Sequence, residues 1–176
     1  MSTTVQTGYF FMPEHIILVG ASERPHSLGE RIFSHLLGSS YQGKITPVNL
    51  RHSSVAGIPS YSSLSKIPGQ ADLVVAVIPP DHYDSLFKAC RKKDLRHIIL
   101  IQDWENLPPE SCKNARSIIQ KYHGDKLNIT VCNSAGIQLP SLNLNIGTQA
   151  DYPAGHIALL TGHSTVSRNI NHLLNT

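Results

Sequence analysis

Short apolar runs recur along the chain, each bounded by turn residues and followed by a stretch with helical spacing: residues 15–19, 44–48, 72–78, 97–101 and 128–132. This alternation predicts strands joined by crossover helices in a parallel sheet. Residues 73–78 are apolar at every position, so that strand should be covered on both faces, which calls for helices on each side. The intervening stretches supply matching stripes. Leu28, Ile32, Phe33 and Leu36 share one helical face, as do Tyr83, Leu86, Phe87 and Cys90, and a third helix opens on Pro108 and Pro109, where a first turn tolerates proline. Right-handed crossovers between such units give an α/β fold, a doubly wound Rossmann-like parallel sheet with helices on both faces. Pro47 lies inside the second run, near its C-terminal end, where a missing N–H costs little.

The tail has a different texture. Residues 133–155 are rich in turn formers and poor in periodicity, and residues 156–174 then read as one more strand, loop and helix. We expect residues 1–150 to form one domain and 151–176 to form a linker with the first strand-helix unit of a following domain. A sixth strand of the same sheet is the alternative.

The loop after the first strand carries the candidate chemistry. Gly20 ends the strand, allowing a tight turn, and Gly29 opens the helix, where backbone N–H groups and the positive end of the helix dipole favour an anion such as pyrophosphate. Ser22 and Ser27 can add hydroxyl donors. The spacing from Gly20 to Gly29 fails the G-x-G-x-x-G pattern of nicotinamide sites, and a purely structural turn also fits a lone loop of this kind. After the second strand a nicotinamide site usually places an acid for the ribose hydroxyls, whereas this chain has Asn49, Arg51 and His52. A guanidinium there favours a phosphate near the ribose, which NADP and coenzyme A both carry.

Composition narrows the classes. A formal charge of +3 with scattered basic residues gives no footprint of a nucleic-acid binder, and Arg91-Lys92-Lys93 reads as a solvated helix end. Cys90, Cys112 and Cys132 stand far apart, which suits a reducing compartment and a cytoplasmic protein. No apolar stretch approaches the roughly 18 residues of a membrane span, and the 10 histidines show no metal-ligand spacing. Carboxylate pairs, a nucleophile elbow and a Walker lysine are all missing, so no catalytic residue and no metal ligand is assigned. Asp81 and Asp84 read as acids at a helix start. The sequon at Asn128 lies in a predicted buried strand.

Several ordered motifs together resemble a known family. "ILVGASERPHSLG" from Ile17 is similar to the "VIGAS-x-x-P-x-S-x-G" opening of the CoA-binding domain of nucleoside-diphosphate-forming acyl-CoA synthetases and of the succinyl-CoA synthetase alpha chain. The likeness continues through "GKITPVNLRHSSVAGIPSYSSLSKIP", "ADLVVAVIPP", "NSAGIQLPSLNLN" and "AGHIALLTGHSTVS", spanning most of residues 14–170. Within the group, the nearest resemblance is to bacterial synthetase-like protein lysine acetyltransferases, whose "GPNSLG" is followed by Asn133-Ser134-x-Gly136 here. Their second domain opens with a pattern similar to "IALLTGHSTVS".

The resemblance implies that Gly20, Ala21, Ser22, Pro25, Ser27 and Gly29 wrap the phosphates of coenzyme A or acetyl-CoA. It implies Asn49 and Arg51 beside the adenosine phosphate end, and Ile78, Pro79 and Pro80 as the wall of the adenine or the pantetheine arm. Asn133 and Ser134 would stand where the thiol emerges. Leu50, the "QDWEN" segment at 102–106 and Cys132 depart from the family pattern, the last two near the expected thioester end. The implied phosphohistidine of the synthetases belongs to the following domain, and His163 occupies another motif. The expected role is to bind CoA without catalysing, within a larger synthetase-like or acetyltransferase chain; a homo-oligomer is compatible with it. An NADP-binding oxidoreductase domain, drawing on His82 or Tyr83, and a ligand-free interaction scaffold are the rival readings.

Overall fold

The computed structural model describes residues 8–124, 126–156, 158–162, 165, 166, 169, 170 and 172. In chain order the elements are α1 (Gly8–Phe11), β1 (His15–Val19), α2 (Leu28–Gly38), β2 (Lys44–Val48), β3 (Ser54–Val55), β4 (Ile58–Pro59) and β5 (Leu73–Ala76). There follow α3 (Tyr83–Lys92), β6 (His97–Ile101), α4 (Pro109–Tyr122), β7 (Asn128–Cys132), β8 (Ile137–Leu139) and β9 (Leu144–Ile146). Single 3-10 turns lie at Leu64–Lys66, Pro80–His82, Trp104–Asn106 and Pro140–Leu142.

Strands β1, β2, β5, β6 and β7 pair in parallel in the order β2-β1-β5-β6-β7. This is a doubly wound sheet whose strand order reverses between β1 and β5, the place where such folds bind ligands. Alternation along each strand sends Ile17, Val74, Ala76, Ile98, Leu100 and Ile129 to one face, where α3 and α4 contribute Leu86, Phe87, Cys90, Ala115 and Tyr122. Ile16, Leu18, Val75, Ile99 and Ile101 point to the other, against Ile32, Phe33 and Leu36 of α2. The helical stripes read from the sequence are thus the packed faces, except that Leu28 is only partly buried and Gly29 is buried beside it.

Pro47 sits in β2, an edge strand, opposite Leu18. An edge needs only one row of ladder hydrogen bonds, so proline is tolerated. β5 ends at Ala76, short of Ile78, because Pro79 and Pro80 donate no N–H and Pro80 opens a 3-10 turn instead. The Arg91-Lys92-Lys93 run closes α3, where the Lys93 ammonium donates to the carbonyls of Ile67 (2.8 Å) and Gly69 (2.9 Å). Asp84 links the two helices of its face, accepting from Lys88 on α3 and from Lys121 and Tyr122 on α4.

Two small hairpins escaped the sequence reading. β3 pairs with β4, and β8 with β9, in antiparallel fashion. Leu144 and Ile146 cover the α2 face of the sheet, so the turn-rich segment after β7 belongs to the core. The strand expected from residue 156 does not form among the described residues. No sheet edge receives its polar backbone there, and Leu160 is 99% exposed. His163 lies outside the described residues.

Candidate ligand-binding site

Parallel strands leave the sheet at one end, so the loops after β1, β2, β5 and β7 all emerge at the C-terminal edge. The loops after β1 and β5 meet at the reversal point. Val77 N–H donates to the Val19 carbonyl (2.8 Å), and Gly20 turns away at φ 92° with its Cα against the Val77 carbonyl. A Cβ at Gly20 would collide with that oxygen, and one at Gly29 would collide with the Gly20 carbonyl oxygen. The first turn of α2 is therefore seated directly on the end of β1.

The loop between these glycines is partly self-satisfied. Ser22 Oγ accepts the Arg24 N–H (3.0 Å), Ser27 N–H donates to the Arg24 carbonyl (3.1 Å), and Ser27 Oγ caps α2 by accepting the Glu30 N–H (3.2 Å). Both serine oxygens are thus engaged as acceptors, while their hydroxyl protons remain available to donate. The N–H groups of Leu28 and Gly29, in the first turn of α2, have no acceptor among the described residues. These amides, the α2 dipole and the serine hydroxyls all offer positive charge to the same space. Pro25 lies exposed on the outer side of this loop, and Ala21 is buried beneath it.

Asn49 joins the second strand to this loop. Its Nδ2 donates to the Ala21 carbonyl (2.8 Å) and its Oδ1 accepts from the N–H groups of Arg51 (2.8 Å) and His52 (3.0 Å). Asn49 therefore shapes the turn, leaving Arg51 exposed with a guanidinium that meets no partner among the described residues. Arg24, His26 and His52 are exposed in the same two loops. After β5, Ile78 is half-buried against the core, Pro79 is exposed and Pro80 is buried, so Pro79 presents the open surface of this segment.

The β7 loop reaches the same end through contacts that no local pattern announces. The Ser134 carbonyl accepts from the N–H (3.1 Å) and the hydroxyl Oγ1 (2.9 Å) of Thr148, and the Thr148 carbonyl accepts from the Arg31 guanidinium on α2 (3.3 Å). Asn133 Oδ1 accepts the Ala135 N–H (3.0 Å) and holds the turn. Arg31, Thr148 and Glu23, discussed below, were missed by sequence reasoning because their partners lie tens of residues away. Trp104, in the departing segment, donates its indole N–H to the Cys132 carbonyl (2.9 Å) and pins the end of β7. Burial pushes the Cys132 thiol up to about 11 and the Cys90 thiol up to about 12, so neither is a ready thiolate.

Tyr83, a candidate proton donor for an oxidoreductase, is wholly buried in the core, and burial raises its pKa. Among the described residues no group of three or more His, Cys, Asp or Glu side chains could hold a metal ion, and no helix is long and apolar enough to cross a membrane.

Comparison with known proteins bears on the family and the fold. Residues 14–139 match the family described as "CoA binding domain". The alpha subunit of ADP-forming acetate–CoA ligase II from Pyrococcus furiosus is 29% identical over 164 residues, covering 92% of this chain and 35% of its own length. The ADP-forming acetate–CoA ligase of Methanocaldococcus jannaschii is 24% identical, covering 90% of this chain and 22% of its own length. The chain thus spans about a third or less of the length of these relatives. Among solved structures, a Pyrococcus horikoshii OT3 protein superposes with a TM-score of 0.78 at 26% identity, over 95% of this chain and 38% of the other. The acetyl-coenzyme A synthetase 1 of Ca. Korarchaeum cryptofilum, in complex with phosphate and ADP, has the same fold, with a TM-score of 0.78 at 21% identity over 95% of this chain and 36% of that one. With the family match running from the residue before β1 to the end of β8, the chain belongs to the CoA-binding domain family.

Proposed function

We propose that this chain binds coenzyme A across the reversal point of its sheet, with the diphosphate at the Gly20–Gly29 loop and the 3′-phosphate facing Arg51. The observation that carries the reading is the pair of amides at Leu28 and Gly29 that meet no acceptor among the described residues, held in place because Gly20 and Gly29 permit close backbone contact. Arg51 supplies the nearby cation, and Ala21, Ser22, Pro25 and Ser27 complete the loop. Pro79, with Ile78 and Pro80 behind it, walls the crevice, and Asn133 and Ser134 stand toward the thiol end. Acetyl-CoA fits the same diphosphate and 3′-phosphate contacts, since these involve only the nucleotide part.

The domain binds and presents the ligand; catalysis belongs to the parent chain. Residues 1–150 act as the binding domain and 151–176 as the approach to the next unit. Two parents accommodate it. The relatives carry ADP-forming ligase names, whereas Asn133-Ser134 follows the serine version found in the lysine acetyltransferases. An assay of the parent for acyl-CoA formation against acetyl transfer to lysine separates them.

The test is calorimetric and thermal titration with CoA, acetyl-CoA and NADPH side by side. CoA at a hundredfold excess over its Kd should raise the unfolding free energy by about 2.7 kcal/mol, which is roughly 5–10 °C for a chain of this size. NADPH binding more tightly than CoA would reassign the site, and no shift with any of the three would make the domain a scaffold.

A further inference from the structure

The segment linking β2 to β4 folds back as a closed loop beside the phosphate loop. Its base is tied to β2, with Asn49 N–H donating to the Tyr61 carbonyl (3.0 Å) and Tyr61 N–H to the Pro47 carbonyl (3.1 Å). Its flanks are joined by Ser60 Oγ to the His52 carbonyl (2.6 Å) and Ser60 N–H to the Ser53 carbonyl (2.8 Å). The tip is a two-residue hairpin turn, Ala56 and Gly57, at φ 48° and 75°. Both central residues of such a turn take positive φ, which suits Gly57 and strains Ala56. The Ala56 N–H points out of the hairpin and donates to Glu23 Oε1 at 2.6 Å, across 33 residues of sequence. A carboxylate accepting a backbone N–H is among the stronger hydrogen bonds available to this turn.

We infer that Glu23 is a positioning residue: its carboxylate latches the tip of the β3–β4 hairpin to the phosphate loop and so sets where Arg51 stands relative to that loop. Val55, buried against the α2 face, supplies non-directional burial at the tip, whereas the Glu23 bond is directional and fixes the turn's orientation. A negative charge in an anion-binding loop opposes the ligand, so its presence calls for a compensating role, and the latch is that role. The bond is needed; the charge is a cost. The inference rests on the CoA reading for its effect on affinity, and on the hairpin alone for its effect on structure.

The experiment compares the full chain with Glu23→Ala and Glu23→Gln, by hydrogen exchange over residues 54–59 without ligand and by calorimetric titration with CoA. Alanine should speed exchange across the hairpin about tenfold and weaken CoA about tenfold. Glutamine keeps a carbonyl acceptor and loses the charge, so it should retain slow exchange and bind CoA at least as tightly as the native chain. Unchanged exchange and affinity in the alanine variant would overturn the latch, as would a glutamine variant failing like alanine. If the native chain binds no CoA, the ligand reading fails by itself, and the exchange comparison alone decides the latch.

Discussion

The same chemical change at two ends of one helix should have opposite effects. Gly29 and Gly38 both lie in α2, yet a Cβ at Gly29 would collide with the Gly20 carbonyl oxygen, with the Gly20 carbonyl carbon 3.3 Å away, while a Cβ at Gly38 meets nothing within 4 Å. Gly38→Ala therefore gains helix propensity without any steric term, stabilising by roughly 0.5–1 kcal/mol. Gly29→Ala must push the first turn of α2 away from β1, and overpacking of this kind costs about 1–3 kcal/mol. The two variants should separate by roughly 1.5–4 kcal/mol in urea unfolding, or about 3–16 °C in Tm. The displaced turn also carries the Leu28 and Gly29 amides off their target, so Gly29→Ala should lose CoA affinity by tenfold or more while Gly38→Ala keeps it. If Gly29→Ala stabilises as much as Gly38→Ala, the close seating of α2 on β1 is wrong, and the phosphate-loop argument falls with it.

Three further outcomes follow from particular groups. The Tyr83 hydroxyl is buried with no hydrogen-bond partner among the described residues, so Tyr83→Phe should leave stability unchanged or raised by up to about 1 kcal/mol; a clear loss in urea midpoint would mean the hydroxyl is paired. Arg51→Glu should weaken CoA more than 3′-dephospho-CoA in parallel titrations, and equal losses would remove Arg51 from the phosphate contact. Burial, reinforced by the charge of Arg96, holds the His97 imidazole below its ordinary pKa. The unfolded chain then binds the proton more readily, so stability is complete above about pH 6.5 and falls as the pH drops below it. His97→Gln should flatten that slope in unfolding curves measured between pH 5 and 7, roughly the window in which an unfolded histidine titrates, and an unchanged slope would assign it to other groups.

Periodicity alone determined the scaffold of this protein. Four of the five parallel strands begin and end where the apolar runs do, because turn residues bound each run and the side chains that face the core must be apolar. The fifth, β5, was cut short by prolines that the sequence displays but whose effect depends on the 3-10 turn they start. The loop glycines and the Arg51 cation stood out by residue type, but the close approach of Gly20 to the Val77 carbonyl and the Ser27 cap on α2 required the fold. What the sequence could not supply were the partners. Asn49 was expected beside the ligand, and the fold engages it with Ala21, Arg51 and His52. Tyr83, a candidate donor by pattern, is sealed in the core. Glu23 reads as an ordinary loop acid until β3–β4 brings Ala56 to it, and Arg31 as a solvent-facing helix residue until Thr148 arrives from beyond β9. Local propensity and burial are properties of neighbours in the chain, whereas hydrogen-bond partners are settled by which loops the sheet order places side by side, and that order is decided only when the strands assemble.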